Sequence, residues 1–276
     1  MRPITLYFHG LPGSAGELVC FGHGIAEHTR HFDVIARGDA LAGGDPGGYF
    51  SRLAEQIIRQ FPDGPLHLVG FSLGAAAALR VAPHLAERVE QIDCVSPAGP
   101  LTLGDFLGDM AGAPVFRAAQ AGRVPFAVFT WLQAQAARLA AAQMASALMA
   151  APRGADRALA ADPQFMEQLA LSLRHSLLTQ RAAYRQEILL YVADWSAELA
   201  RVHQPVTIWQ GSDDDWTPPA MARALAEVLP AYTDVRMLPG CSHFSTLTRY
   251  LEQVGADMTA GADKANPGVA TRPSAC

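Results

Sequence analysis

The chain has 276 residues, of which 50% are hydrophobic and 17% charged. That supplies a sizeable core for one large α/β domain or two small ones, and it excludes a disordered chain. A net charge of −5 leaves no basic footprint for nucleic acid, and the single lysine, Lys264, rules out a Ser–Lys or Schiff-base mechanism in the folded part.

Short apolar runs alternate with helical patterns from the start of the chain. Ile4–Phe8 reads as a buried strand and is too short for a signal-peptide core. Glu17–Arg30 reads as a helix and Phe32–Ala36 as a second strand. A glycine-rich loop, Gly38–Gly48, precedes a helix over Tyr49–Phe61, where Leu53, Ile57 and Ile58 fall on one face. Leu66–Val69 is a third strand between Pro65 and Gly70, Leu73–Ala82 an alanine-rich helix, and Gln91–Val95 a fourth strand. Such alternation predicts a parallel sheet covered on both faces.

From 100 to 201 only helical signals and turn breakers remain, with Pro114, Pro125, Pro152 and Pro163 dividing the stretch. Asp162 ahead of Pro163 marks a helix start. Polar residues Gln133, Gln135, Arg138 and Gln143 interrupt the most apolar part, Val124–Ala151, so no membrane span is expected and a cytoplasmic protein is the default. Strands return at Pro205–Gln210 and Asp234–Leu238, with a helix over Pro219–Leu229 between them. The expected organisation is an α/β core from 1–99 and 202–256, a helical insertion at 100–201, and a disordered tail at 257–276. Cys20, Cys94, Cys241 and Cys276 lack C-x-x-C or framework spacing, so disulfides are not expected.

Gly70-Phe71-Ser72-Leu73-Gly74 follows a strand and opens a helix. This is G-x-S-x-G in the setting where a serine is held on a tight strand-to-helix turn, at the positive end of a helix. Alone, the five residues also fit an ordinary glycine-rich β–α turn; the flanking elements favour Ser72 as a nucleophile. His9-Gly10-Leu11-Pro12-Gly13-Ser14 closes the first strand. An attacked carbonyl needs two backbone N–H groups already aimed at its oxygen, and Leu11 and Leu73 are the candidates. By itself the first loop is a plain Gly/Pro turn.

A general base needs a loop from which an imidazole reaches the serine over the sheet edge. Among the nine histidines, His243 in Pro239-Gly240-Cys241-Ser242-His243 sits on a turn after a strand and downstream of an acid candidate. His67 lies inside a strand and His175 in the helical insertion; His23, His28 and His31 give no clean ligand face for a metal. Gly211-Ser212-Asp213-Asp214-Asp215 offers three carboxylates after a strand. Such a run is commonly a solvated turn and helix cap. Register favours Asp214, then Asp215, then Asp213.

These segments together resemble the α/β-hydrolase superfamily over roughly residues 3–254, with its chain order Ser, Asp, His. The resemblance implies the triad Ser72–Asp214–His243, and its Gly-x-x-Asp-x-x-x-Pro register, Gly211 to Pro218 here, supports Asp214. It implies a helical cap over the site at 100–201. The chain begins at what looks like that superfamily's third strand, so a sheet of about six strands, mostly parallel, is expected. The loop Arg37–Gly44 departs from the common Asp-x-x-Gly-x-Gly form, and Ser72 stands where the dehalogenase and epoxide-hydrolase branches carry aspartate.

The expected activity is a serine hydrolase that cleaves a carboxylic ester of a small apolar substrate through an acyl-enzyme, with no metal or organic cofactor. An acyltransferase, thioesterase or lactonase would use the same triad, and a non-catalytic binding protein could share the fold. Phe106, Leu107, Phe116, Phe126, Phe129, Trp131, Met144, Leu148 and Met149 make the cap apolar. Phe129 and Trp131 are wall candidates, and the cap is expected to set substrate choice and contribute little to the chemistry.

Overall fold

The computed structural model describes residues 3–38 and 46–265. Its sheet has six parallel strands in the order β2-β1-β3-β4-β5-β6: β1 Ile4–Phe8, β2 Phe32–Val34, β3 Leu66–Phe71, β4 Val89–Val95, β5 Val206–Gly211 and β6 Thr233–Leu238. The helices are α1 His23–His28, α2 Tyr49–Gln60, α3 Leu73–Leu85, α4 Ala113–Gln120, α5 Arg123–Leu148, α6 Asp156–Ala160, α7 Pro163–Arg174, α8 Arg181–Val192, α9 Pro219–Val228 and α10 His243–Ala265. This is the α/β architecture expected, and all six strands lie where the apolar runs placed them.

Alternation along the strands sorts two cores. Leu6 and Phe8 join Leu66 and Leu68 in the core beneath α2, α3 and α9, while Tyr7 turns the other way to meet Val69, Phe71, Val95 and Trp209 beneath α10. In α2, Leu53 and Ile57 are fully buried but Ile58 is 42% exposed, so it lies off the buried face. The Glu17–Arg30 segment is not one helix. A 3₁₀ turn at Glu17–Phe21 is separated from α1 by Gly22, whose φ of +91° breaks the helical path.

Between β4 and β5 the described chain is helical without strands. α5 spans 26 residues and kinks at Ala140, and α7 starts on Asp162, whose side chain accepts from the Gln164 N–H at 2.9 Å. No helix among the described residues is long and apolar enough to cross a membrane. α10 continues to Ala265, so the tail expected from 257 is helical that far; its alanines favour helix continuation, and 266–276 lie outside the described residues, as does most of the Gly38–Gly48 loop. The described cysteines, Cys20, Cys94 and Cys241, are unpaired.

Strand order reverses between β1 and β3. From β1 the chain crosses to β2 on one side, and from β3 to β4 on the other. The crevice beyond the carboxyl ends of those two strands is where parallel α/β sheets bind ligands. The loops that begin at His9 and Ser72 both open there.

Candidate active site

Ser72 leaves β3 with φ +55°, a conformation uncommon for a residue with a side chain. Its N–H donates to the Val95 carbonyl at 3.0 Å, and its carbonyl accepts from Ala75 and Ala98. The sharpness of the turn depends on two glycines. A Cβ on Gly70 would sit 2.5 Å from Ala75 Cα, and a Cβ on Gly74 would collide with the Phe8 carbonyl oxygen of β1. Leu73 is the first residue of α3, where N–H groups have no partner within the helix.

Ser72, Leu73 and Leu11 line one cleft whose remaining wall is mostly apolar: Val115, Phe116, Phe129, Met144, Leu148 and Ile188. Of the apolar side chains singled out in the 100–201 stretch, Phe116, Phe129, Met144 and Leu148 line this cleft. Phe126 is fully buried in the core, and Trp131 is 51% exposed on the outer side of α5, so it is not a wall residue. Helical spacing cannot say which side of α5 faces in.

His243 and Ser72 line a common cavity with Leu11, Phe71 and Trp216. The imidazole is 2% exposed, stacked on Trp216 at 5.6 Å between ring centres and tilted against Phe71 at 4.7 Å. Its Nδ1 lies 3.0 Å from Asp214 Oδ2. An ionised carboxylate can only accept, so Nδ1 carries a proton, and in the neutral imidazole the lone pair is then on Nε2. Asp214 Oδ1 accepts from the Trp216 and Thr217 N–H groups, both at 2.9 Å, and the Thr217 hydroxyl lies 3.1 Å from Oδ2. Burial pushes the Asp214 carboxyl up, but the adjoining His243 and these hydrogen bonds outweigh it and hold the acid below the usual range. The other two aspartates are placed differently: Asp213 is exposed and accepts from the Ser212 hydroxyl, and Asp215 pairs with Arg153 at 2.9 Å.

Four supporting residues escaped the sequence reading. Ser96, fully buried with φ +44° after β4, offers its carbonyl to Thr217 at 3.0 Å, and its hydroxyl donates to the His243 carbonyl at 3.4 Å. Thr217 itself was visible three residues after Asp214, but its partners were not. Asp156, at the start of α6 and 2% exposed, accepts from the Phe244 and Ser245 N–H groups at 3.1 and 2.7 Å, so it caps the helix that begins with His243. Glu17, 6% exposed, accepts from the Gly10 N–H at 3.1 Å and the Tyr7 hydroxyl at 2.6 Å, bracing the loop that carries Leu11. Burial raises its carboxyl despite those donors. His67 pairs instead with Asp93 at 3.0 Å and does not line the Ser72 cavities.

Among solved structures, the fold resembles a thermophilic esterase from Thermogutta terrifontis (TM-score 0.62, 15% identity, 96% of this chain and 90% of that one). It also resembles a bromoperoxidase from Bacillus anthracis (0.59, 14%, 94% and 91%) and Est816, an N-acyl homoserine lactone degrading enzyme (0.60, 15%, 95% and 93%). At these identities the likeness is one of fold. No curated protein matches the sequence. The family model described as the alpha/beta hydrolase family matches residues 6–256, and with that match spanning nearly the whole described chain, the protein belongs to the alpha/beta hydrolase family.

Proposed function

We propose that this chain is a serine hydrolase that cleaves a carboxylic ester of a small apolar substrate through an acyl-enzyme. The observation that carries this reading is the buried Asp214–His243 pair, whose imidazole shares a cavity with Ser72 on its positive-φ turn. His243 Nε2 takes the Ser72 hydroxyl proton as the oxygen attacks the ester carbonyl. The Leu11 and Leu73 N–H groups receive the oxyanion. The alcohol leaves with the proton from His243, and a water deprotonated by the same nitrogen then releases the acid. Asp214 keeps the proton on Nδ1 throughout and stabilises the imidazolium. No step calls for a metal or an organic cofactor.

In this reading the helical segment from 100 to 201 is a cap on a core made of 1–99 and 202–256. It supplies most of the apolar wall, which suits the acyl chain.

A fluorophosphonate probe tests the reading. Labelling should map to Ser72 and vanish in Ser72→Ala, and a panel of p-nitrophenyl esters from acetate upward should be hydrolysed. A lactone belongs in the panel because the same triad would open it. A folded protein that neither takes the probe nor cleaves any member of the panel would leave a ligand-binding role instead.

A further inference from the structure

A second, smaller cavity adjoins the first across Leu11 and Tyr184, and its character is different. One wall is the loop after β1, with His9 and Ser14. Another is the loop after β2, with Arg37. The third is the π-helical turn His175–Thr179 and the α8 residues beyond it, with Ser176, Gln180 and Glu187. π-Helical turns are rare and recur at functional sites.

Two buried polar groups on this wall have no hydrogen-bond partner. Arg37 is 2% exposed; its Nε is ion-paired with Glu187 Oε1 at 3.1 Å and its Nη2 lies 3.3 Å from His9 Nδ1, but neither Nε nor Nη1 makes a hydrogen bond. Ser176 is 1% exposed and its hydroxyl is likewise unpartnered. Leaving buried donors unused costs stability, so unused ones on residues that line one cavity call for an explanation. The charge is already balanced: Glu187 neutralises Arg37 while accepting from the Tyr49 hydroxyl at 2.7 Å. Burial and the neighbouring Arg37 lower His9 to about 3, so it is neutral.

We infer that this cavity is a polar subsite that takes a neutral hydrogen-bond acceptor, such as an amide or ketone carbonyl, carried on the acyl part of the substrate. A donor-rich wall recognises an acceptor, and a balanced Arg–Glu pair gives no preference for a carboxylate. The acyl side follows from direction. His243 must protonate the leaving alcohol, and it lines the cavity on the Phe244 side, whereas the polar cavity opens off the apolar cleft at Tyr184. The inference rests on the serine-hydrolase reading for that direction.

The test compares p-nitrophenyl 4-acetamidobutanoate with its apolar isostere, p-nitrophenyl 6-methylheptanoate, and the three-carbon pair 3-acetamidopropanoate and 5-methylhexanoate. The polar-to-apolar ratio of kcat/KM for at least one pair should fall about fivefold or more in Ser176→Ala/Gln180→Leu, which leaves the ion pair intact. It should fall further in Arg37→Met/Glu187→Met, which removes both charges together. Ratios unchanged in both variants would overturn the subsite. Binding of the matching ethyl esters to Ser72→Ala, with and without Ser176→Ala/Gln180→Leu, needs no turnover. It reads the subsite separately from the chemistry: a selective loss of affinity for the acetamido ester supports it, and equal affinities in the two backgrounds overturn it.

Discussion

The turn that carries Ser72 and the loop that carries His243 sit in one cavity but are held in different ways. The Ser72 turn is shaped locally, and its more distant ties are all backbone, to Val95 and Ala98. β3, two glycines and α3 lie within residues 66–85, and the close approach comes from the backbone of β1. The His243 loop is held from far along the chain: Asp214 after β5, Ser96 after β4, and Asp156 in the helical segment, with Ala155 N–H donating to the Gly240 carbonyl at 2.8 Å. The position of Ser72 therefore belongs to the core, while the position of His243 is shared with the helices that wall the cleft. Asp156 is the point at which the expectation that this segment contributes little to chemistry can be tested.

The comparison breaks most severely at the serine. Ser72→Ala should lower kcat by about three orders of magnitude or more, with circular dichroism and thermal unfolding unchanged, because the turn is made by glycines and backbone bonds. Full turnover by a folded variant would end the nucleophile assignment.

Asp214→Asn should cost on the order of 10³-fold in kcat, since an amide can donate to Nδ1 and select the wrong tautomer. Asp213→Asn, on an exposed side chain, should change kcat by less than about twofold, and Asp215→Asn should fall between them because it frees Arg153. Steady-state kinetics of the three rank the aspartates directly. The acid also leaves a mark on stability. Its folded pKa lies below the unfolded value, so it contributes stability above about pH 4 that is lost as pH falls through the folded pKa. Asp214→Asn should flatten that acid limb in denaturation curves; an unchanged limb would place the titrating group elsewhere.

Asp156→Ala sharpens the comparison. It leaves the Phe244 and Ser245 N–H groups without their acceptor and should cost about 1–2 kcal/mol of stability. If the cap positions the base, kcat should fall about tenfold with KM little changed, and Asp156→Asn should recover part of it. Loss of stability with kcat intact would make Asp156 a structural cap only.

The same contrast explains what could be read in the sequence. Gly70–Gly74, the strand before it and the helix after it are contiguous, so Ser72 and its setting were legible together. The parallel sheet was legible because each strand is a short apolar run bounded by breakers. His243 and Asp214 could be placed by register, yet their supports could not. Asp156, Ser96 and Glu17 are polar residues whose burial is created by tertiary contacts, distant in the chain for the first two and nearer for Glu17, and no local pattern separates them from solvated caps. Glu17 reads as an ordinary helical position until Gly10 and Tyr7 are brought over it. Side-chain direction on long helices failed for a related reason: α5 is apolar on more than one face, so its periodicity did not distinguish Phe129 from Trp131.

That last ambiguity supplies the mildest prediction. Phe129 and Met144 line the cleft beside Ser72, whereas Trp131 points out from the same helix. Each methylene buried in an apolar cleft contributes about 0.8 kcal/mol, close to fourfold in kcat/KM if the contact persists in the transition state. Lengthening the acyl chain from acetate to hexanoate should therefore raise kcat/KM until the cleft is full. Phe129→Ala and Met144→Ala remove wall atoms and should reduce the hexanoate-to-acetate ratio several-fold while acetate itself changes less. Trp131→Ala should leave the ratio as it is, because its ring touches solvent on the far side. Chain-length series of p-nitrophenyl esters on the three variants decide the matter. A uniform drop for every ester in Phe129→Ala would indicate a packing defect in α5 instead of a lost wall, and a ratio that moves with Trp131 would mean that the outer face of the helix, and not the inner one, meets the substrate.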